Sequence, residues 1–284
     1  MTRRTFLPTL AGAAALTQTL PAQVTATPQR TGRLKQCVTK GVFKGRTMTL
    51  DDMAREAAQR GIYGFDLIGP ADWPILRRHG LVPTMVPSFA GSIPDALNRK
   101  ENHARLDRSL REGIDLSAAG NCPNVITFSG NRRGMSDAEG ADNCVLFLNN
   151  VKGYAESKNV TICMELLNSK VNHKDYMCDH AAWGVDVMKR VNSPRVKLLY
   201  DIYHMQIMDG DIVRTIRENI QYIGHFHTGG NPGRHEIDGT QELNYRFVAQ
   251  SIADLGFTGC IAHEYTPVRE PLASLEQAIQ ICTV

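Results

Sequence analysis

The chain lacks the short motifs that mark several large enzyme classes. Its 284 residues contain no GxGxxG between a first strand and a first helix, no P-loop and no GxSxG nucleophile elbow. These absences argue against an open dinucleotide-binding sheet, a P-loop kinase and a serine hydrolase. No internal repeat, low-complexity segment or interdomain linker stands out either, so we expect a single domain.

Excess charge is also scarce. The net charge is +3, and Arg3 and Arg4 contribute two of these charges near the N-terminus. The rest of the chain therefore gives no electrostatic reason to expect nucleic acid or an anionic membrane as a partner.

Cysteines are present but form no recognisable framework. The seven cysteines include no CxxC pair and no regular spacing, which disfavours a zinc knot or a disulfide scaffold. Cys163 and Cys260 stand in apolar, strand-like runs, and we therefore expect both to be small, buried core residues.

No apolar run near the N-terminus is long enough to cross a membrane. The run at residues 10–16 is far shorter than the roughly 20 residues that a bilayer requires. Arg3 and Arg4 precede it, which is the layout of a twin-arginine export signal. We predict an export signal over residues 1–26, a periplasmic or other extracytoplasmic location, and a folded domain over residues 27–284. A tail that happens to contain two arginines is the alternative.

Strand-like and helix-like patterns alternate along the remainder of the chain. Eight apolar runs are typical of strands, at residues 34–43, 64–68, 82–86, 125–129, 160–166, 196–200, 222–228 and 259–265. Helical periodicity appears at residues 49–60, 136–158, 178–191, 211–219, 244–255 and 272–282. Eight strand–helix units in a chain of this size predict an α/β fold, the single-domain (β/α)8 TIM barrel. An open doubly wound sheet is the competing fold.

Local signals mark some of the helix ends. Thr49 followed by Asp52 is close to a capping box, which predicts that a helix begins there. Gly61, Gly80 and Gly256 follow three helical patterns, where a left-handed residue is favoured.

Four strands in the second half of the chain end on a side chain that can bind a metal ion. These residues are Glu165, Asp201, His227 and Glu264. In a parallel barrel the strand ends converge at the C-terminal face, where TIM barrels carry their active sites. Because three buried carboxylates would repel one another, a bound divalent cation is the simplest way to stabilise them. The sequence therefore predicts a metal site, with solvated strand-end residues as the alternative.

The donor set limits the choice of metal. Three carboxylates and one imidazole are rich in oxygen, which favours Mn²⁺, Mg²⁺ or Co²⁺, with Zn²⁺ as the alternative. His204 lies three residues beyond Asp201, at the start of the predicted loop, and Arg234 lies in a turn-forming segment after His227. We predict that His204 and Arg234 bind substrate oxygens; a capping histidine and a surface arginine are the alternatives.

Three segments together resemble a known family. They are YDIYHMQ at residues 200–206, IGHFH at 223–227 leading to NPGRHE at 231–236, and HEYTP at 263–267. These segments are similar to the hydroxypyruvate isomerase branch of the xylose isomerase-like TIM barrels, a group that also includes the ketose 3-epimerases. The resemblance covers about residues 34–282 and is most specific from Glu165 onward.

The resemblance implies a chemistry as well as a fold. In the family, the residues matching the four strand-end side chains bind the metal, those matching Glu165 and Glu264 also transfer protons, and those matching His204 and Arg234 contact substrate. We therefore expect a hydroxypyruvate isomerase-like enzyme that interconverts small sugars or hydroxy-carbonyl compounds through an enediolate. His227 departs from this pattern: the position is often Gln in hydroxypyruvate isomerases and usually His in ketose 3-epimerases, so an epimerase is the alternative.

Two further functions stay open on the sequence alone. An endonuclease IV-like phosphodiesterase uses the same barrel, but it requires more histidine ligands and a basic face for DNA. The second alternative is an exported, non-catalytic sugar-binding barrel, and the presence of both glutamates argues against it. The sequence does not determine the oligomeric state, and a homo-oligomer is possible.

Overall fold

The computed structural model describes Met1 and residues 32–284. Within that part of the chain, eight parallel strands close into a barrel in chain order, with the last strand paired to the first. The strands are β1 (Lys35–Val38), β2 (Gly64–Asp66), β3 (Val82–Ala90), β4 (Asn124–Thr127), β5 (Thr161–Glu165), β6 (Val196–Asp201), β7 (Ile223–Thr228) and β8 (Cys260–His263). The predicted (β/α)8 barrel is confirmed. Apart from Met1, the predicted export signal lies outside the described residues.

Helices surround the barrel. They are α1 (Leu50–Gln59), α2 (Trp73–Arg78), α3 (His103–Ala119), α4 (Asp137–Lys158), α5 (Ala181–Val191), α6 (Ile202–Met208), α7 (Ile212–Asn219), α8 (Tyr245–Asp254) and α9 (Pro271–Cys282). The prediction missed α2, α3 and α6. The signal for α3 was present, because Leu106, Leu110 and Ile114 recur at helical spacing and are fully buried.

Several local predictions are confirmed. The Thr49 hydroxyl accepts the Asp52 backbone N–H, and the Asp52 carboxylate accepts the Thr49 backbone N–H, which completes the capping box of α1. Gly61, Gly80 and Gly256 have φ of 73°, 73° and 69°, the left-handed conformation expected after a helix.

The first predicted strand is too long. β1 ends at Val38, and the chain then turns through a short 3₁₀ helix at Lys40–Phe43. Phe43 is buried by stacking on Phe65, with ring centroids 5.9 Å apart. The apolar pattern continues past the end of β1 because residues of the 3₁₀ helix pack in the core, although they form no strand hydrogen bonds with the rest of the barrel.

A small cluster fills the inside of the barrel. Met85, Ile126, Cys163 and Leu199 come from four neighbouring strands and are almost completely buried. Cys260 is buried as well, so the prediction for both strand cysteines is confirmed. No helix within residues 32–284 has the length and apolar character that a membrane span requires.

Candidate active site

The four predicted strand-end residues lie together at the C-terminal mouth of the barrel. Glu165 and Asp201 end β5 and β6, and the sheet register pairs Asp201 with His227 on β7. Glu264 follows β8 directly, and its backbone N–H donates to Thr228 O at 3.0 Å. His227 Nδ1 lies 2.7 Å from Glu264 Oε2, 3.3 Å from Glu165 Oε1 and 3.8 Å from Asp201 Oδ2. One nitrogen thus faces an oxygen from each of three carboxylates.

These side chains differ in their access to solvent. Those of Asp201 and His227 are completely buried, and that of Glu165 is 8% exposed. The Glu264 side chain is 26% exposed and is the most open of the four. The two glutamates therefore border the opening, and the other two residues lie beneath it.

The donor set fits a cation. His227 Nδ1 is buried and has three carboxylate neighbours. Within the described residues, however, none of them is oriented to form a hydrogen bond with it. The other ring nitrogen, Nε2, lies 3.0 Å from Asp66 Oδ2. When Nε2 carries the proton that Asp66 accepts, the Nδ1 lone pair points among the three carboxylates. A carboxylate that orients an imidazole in this way is typical of metal sites.

Electrostatics also favour a positive charge at this point. Burial alone would lower the pKa of His227, but Glu264, Asp66 and Glu165 outweigh it and raise the pKa well above its ordinary value. The charge among the carboxylates can be a proton on the imidazole or a metal ion that replaces that proton. A proton on His227 and a metal ion would therefore compete for this position.

Burial and charge act in opposite directions on the carboxylates. Burial raises the pKa of Glu165 to about 7, although His227 lowers it. Asp201 is equally buried, yet Arg234, His204 and His227 hold its pKa well below its ordinary value. Of these two carboxyl groups, Glu165 therefore takes up a proton far more readily.

Arg234 folds back over the four strand-end residues. Its Nη2 atom donates to Asp201 Oδ2 and to Glu264 Oε2, each at 2.6 Å, and its Nε atom donates to the Glu264 carbonyl at 3.0 Å. The guanidinium also lies over the Tyr203 ring, 4.9 Å from its centroid. The loop after β7 therefore places the predicted arginine at the site, while its role toward substrate stays a prediction.

His204 lies on a helix, where the prediction placed it in a loop. Asp201 Oδ1 accepts the His204 backbone N–H at 3.0 Å and so caps α6, which begins one residue after the strand. This cap places the imidazole over the site. Its Nε2 atom is 2.9 Å from Arg234 Nη1, and its Nδ1 atom is 2.5 Å from Asn168 Nδ2.

Hydrogen-bond donors face both ring nitrogens of His204. Asn168 Oδ1 already accepts the backbone N–H groups of Val171 and Asn172, so its amide NH₂ group faces His204 Nδ1. Burial lowers the pKa of His204 to about 3, which leaves the ring neutral with a single acceptor nitrogen. The Asn168 amide faces Nδ1 and the Arg234 guanidinium faces Nε2, so only one of these two donors finds an acceptor on the neutral ring.

Sequence reasoning missed the residues beneath the site. Asp66, the last residue of β2, accepts from Nε2 of His225 at 2.6 Å and from Nε2 of His227 at 3.0 Å. Its second oxygen accepts the Thr84 hydroxyl. Burial would raise the pKa of Asp66, but the two histidines outweigh it and hold the pKa well below its ordinary value. A carboxylate inside the apolar run at residues 64–68 was the only signal in the sequence.

A cavity of about 530 Å³ opens above these groups. One wall is polar and includes Glu165, His204, Arg234 and Glu264. The apolar part of the lining is formed by Leu67, Pro87, Ile93, Ile126, Phe128 and Leu167. Asn172 and His173 line the cavity as well, so the pocket combines charged, polar and apolar surface.

The sequence matches a family model over most of its length. The xylose isomerase-like TIM barrel model matches residues 74–282, and the chain therefore belongs to this family. The resemblance inferred from the sequence motifs is confirmed at this level.

The chain is similar in sequence to named sugar isomerases. A putative hydroxypyruvate isomerase of Danio rerio is 34% identical over 109 residues, which cover 38% of this chain and 40% of that protein. A 2-oxo-tetronate isomerase of Pectobacterium atrosepticum is 26% identical over 228 residues, covering 76% of this chain and 86% of that protein. The match to the Danio rerio protein thus spans only about two fifths of that relative's length.

Solved structures share the fold at low identity. An AP endonuclease, family 2, from Brucella melitensis superposes with a TM-score of 0.78 at 21% identity, covering 87% of this chain and 99% of that one. A D-psicose 3-epimerase from Clostridium cellulolyticum H10 superposes with a TM-score of 0.72 at 18% identity, covering 88% and 100%. At these identities the likeness establishes the barrel alone.

Proposed function

We propose that this chain is a metal-dependent isomerase that acts on small hydroxy-carbonyl compounds, in the manner of a hydroxypyruvate isomerase. The observation that carries the proposal is the convergence of three carboxylates on His227 Nδ1 at the C-terminal mouth of the barrel. The names of the relatives, hydroxypyruvate isomerase and 2-oxo-tetronate isomerase, support the same chemistry. Ketose 3-epimerisation is the second candidate, and the histidine at position 227 favours it.

Glu165, Asp201, His227 and Glu264 would hold the cation. Their oxygen-rich donor set favours Mn²⁺, Mg²⁺ or Co²⁺, with Zn²⁺ as the alternative. When bound, the ion supplies positive charge that stabilises the negative charge developing on the substrate oxygens.

Glu165 and Glu264 carry out the proton transfer. One carboxylate removes the proton from the carbon beside the carbonyl, and the electron pair of that C–H bond becomes the double bond of an enediolate. The other carboxyl group returns a proton, to the adjacent carbon in an isomerisation or to the opposite face of the same carbon in an epimerisation. One C–H bond breaks and one forms, and in the isomerisation a proton also leaves the hydroxyl oxygen while one is gained by the former carbonyl oxygen, so no oxidant or other co-reactant is required.

His204 and Arg234 bind the substrate. The His204 ring, which lines the cavity, forms a hydrogen bond with a substrate oxygen. Arg234 offers charged N–H groups beside it, with Nη1 2.9 Å from His204 Nε2. Together they hold the hydroxy-carbonyl group against the two glutamates.

Deuterium exchange tests this function directly. The protein loaded with Mn²⁺ is incubated in D₂O with hydroxypyruvate and a panel of ketoses and aldoses, and NMR follows deuterium at carbon. We expect exchange that chelation abolishes and that Mn²⁺, Mg²⁺ or Co²⁺ restores. Full activity in a rigorously metal-free preparation would exclude the mechanism, and binding without any exchange would identify a non-catalytic sugar-binding barrel.

We also propose that residues 1–26 direct export through the twin-arginine route, on the strength of Arg3 and Arg4 ahead of a short apolar run. Replacing both arginines with lysine should leave the precursor in the cytoplasm. Equal export of a tagged protein after that change would contradict the proposal.

A further inference from the structure

A second cavity, of about 450 Å³, lies at the opposite end of the barrel from the active site. Its lining includes the first residues of five strands, which are Lys35, Asn124, Thr161, Ile223 and Cys260. Because the strands are parallel, these residues mark the N-terminal end of the barrel, whereas the four candidate metal ligands lie at its C-terminal mouth. The cavity is therefore separate from the active site.

Two half-buried cations at the start of β6, Arg195 and Lys197, line this second cavity. Lys197 Nζ donates to the Gln221 carbonyl at 2.5 Å, and Arg195 donates to the side-chain oxygens of Asn159 and Thr161. These partners are uncharged, and the described residues that line the cavity include no Asp or Glu. Both cations also have N–H groups that these bonds do not use, because lysine has three donors and arginine has five.

The two positive charges also act on each other. Burial lowers the pKa of Lys197, and Arg195 lowers it further. Like charges that are partly removed from water are unfavourable unless an opposite charge lies close to them. An anion bound in the cavity would supply that opposite charge.

The backbone beside Lys197 leaves space for its side chain. The pairing of β6 with β7 shifts in register here, and Gly224 is skipped in that pairing. A Cβ atom at Gly224 would lie 2.9 Å from Lys197 Cβ, well inside the carbon–carbon contact distance of about 3.5–4.0 Å. Glycine at this position of the cavity lining therefore makes room for the lysine.

Aromatic side chains form another part of the lining. Tyr63 is 39% exposed, and Phe257 is partly exposed. A third cation lies beside them, with Lys35 Nζ 5.4 Å from the centroid of the Tyr63 ring. The cavity thus offers positive charge next to apolar surface, which suits a ligand that has both an anionic and an apolar part.

We propose that this cavity binds a phosphate monoester. Its phosphate group contacts Arg195 and Lys197, and its organic part packs against Tyr63 and Phe257. A guanidinium binds phosphate through two parallel N–H groups, and an ammonium adds a compact charge. A doubly negative phosphate matches these cations better than a neutral sugar does. The site does not depend on the proposed isomerase function.

Phenyl phosphate tests the site, because it joins a phosphate group to one aromatic ring. Calorimetry on the full chain loaded with Mg²⁺ should show saturable binding. Inorganic phosphate should bind more weakly and benzyl alcohol should not bind. Added NaCl should weaken the binding of phenyl phosphate, since salt screens the charges. No saturable binding of millimolar phenyl phosphate would overturn the inference.

Matched variants locate the anion. Lys197→Gln removes one charge from the cavity, and we expect it to weaken the binding of phenyl phosphate about tenfold. Lys152→Gln is the control. Lys152 is also half-buried and donates to a backbone carbonyl, that of Val191 at 2.7 Å, but it does not line the cavity. Its substitution should leave the affinity unchanged.

Equal affinity in the wild type and in Lys197→Gln would overturn the inference, because the anion would then lie elsewhere. If thermal melting shows that Lys197→Gln is unfolded, Arg195→Gln is the second test, and full affinity in that variant would contradict the site. Removing Mg²⁺ with a chelator should not change the affinity for phenyl phosphate. A loss on chelation would place the anion at the active site instead.

Discussion

Two groups of carboxylates and imidazoles share His227, and they balance their charges differently. The upper cluster consists of Glu165, Asp201, His227 and Glu264, where three carboxylates face one ring nitrogen. The lower cluster consists of Asp66, His225 and His227, where one carboxylate faces two ring nitrogens. The lower cluster satisfies its own carboxylate, whereas the upper cluster has more carboxylates than imidazoles and receives additional positive charge from Arg234.

The contrast shows that residue types alone do not identify a metal site. Both clusters contain ligand-type side chains close enough to hold an ion. In the lower cluster, however, the Nε2 atoms of His225 and His227 lie at hydrogen-bonding distance from one oxygen of Asp66. We therefore interpret Asp66 as a positioning residue that fixes the ring of His227 for the upper cluster.

The largest expected effect separates proton transfer from metal binding within the upper cluster. Gln at position 165 or 264 keeps the size and one oxygen ligand but cannot accept a proton. We expect Glu165→Gln and Glu264→Gln each to lower kcat by about 10²- to 10⁴-fold while some metal remains bound. Steady-state kinetics at saturating metal measure this effect.

Asp201→Asn is the comparison variant for these two. Its defect should be weaker metal binding, which excess metal partly corrects. If saturating metal restored either glutamine variant to near wild-type kcat, that glutamate would be only a ligand, and His204 would be the next candidate for the proton transfer.

A smaller effect tests whether the lower cluster supports the upper one. Asp66→Asn removes the charge that holds His227 Nε2–H. Losing such a partner typically weakens metal affinity by about 10- to 100-fold, and we expect a decrease of that order by calorimetry with Mn²⁺ alone. Two bound ions per chain in the wild type would contradict the positioning role, because the lower cluster would then be a metal site itself.

Asp51→Asn is the matched control for that measurement. Asp51 also accepts from a histidine, His79 Nε2 at 3.0 Å, but its side chain is 43% exposed and belongs to neither cluster. Its substitution should leave Mn²⁺ affinity unchanged. A similar loss in both variants would mean that the effect of Asp66→Asn is not local.

The smallest expected effect is a loss of stability when the lower cluster loses one hydrogen bond. Thr84→Val keeps the shape of a buried side chain but removes the hydroxyl that donates to Asp66. Hydrogen bonds to charged groups contribute about 1.5–3 kcal/mol, so the free energy of unfolding in urea should fall by an amount near the lower end of that range. The fall should be similar with and without Mn²⁺.

Thr127→Val provides the neutral comparison. Its hydroxyl, equally buried, donates to the Ala90 carbonyl at 3.3 Å, a longer bond to an uncharged acceptor. We expect a fall of about 0.5–1.5 kcal/mol. A loss in Thr127→Val equal to or larger than that in Thr84→Val would show that Asp66 does not depend on its hydroxyl donor.

The sequence allowed prediction of the barrel and of the upper cluster for one physical reason. Strands buried on both faces leave long apolar runs, and a polar residue at the end of such a run is conspicuous. Asp201 and Glu264 stand out in this way, and the parallel arrangement brings them together.

The remaining features depend on contacts that are distant along the chain. Asp66 lies 159 residues from His225 in sequence, and nothing in the local pattern indicates that they pair. The apolar lining of the cavity was equally unpredictable, because Leu67 and Phe128 lie in segments that have the pattern of ordinary buried strands. Only the closed barrel shows which of these side chains face the cavity.

Asp201 has a consequence for how this enzyme can evolve. One of its oxygens accepts the His204 backbone N–H that starts α6, and the other accepts the Arg234 guanidinium at the barrel mouth. A substitution that altered the second contact would also disturb the first, so chemical adaptation at this position is tied to folding. Both contacts therefore limit which residues can replace Asp201. The loops that follow β2, β3 and β4 can change in sequence without altering the cap of α6.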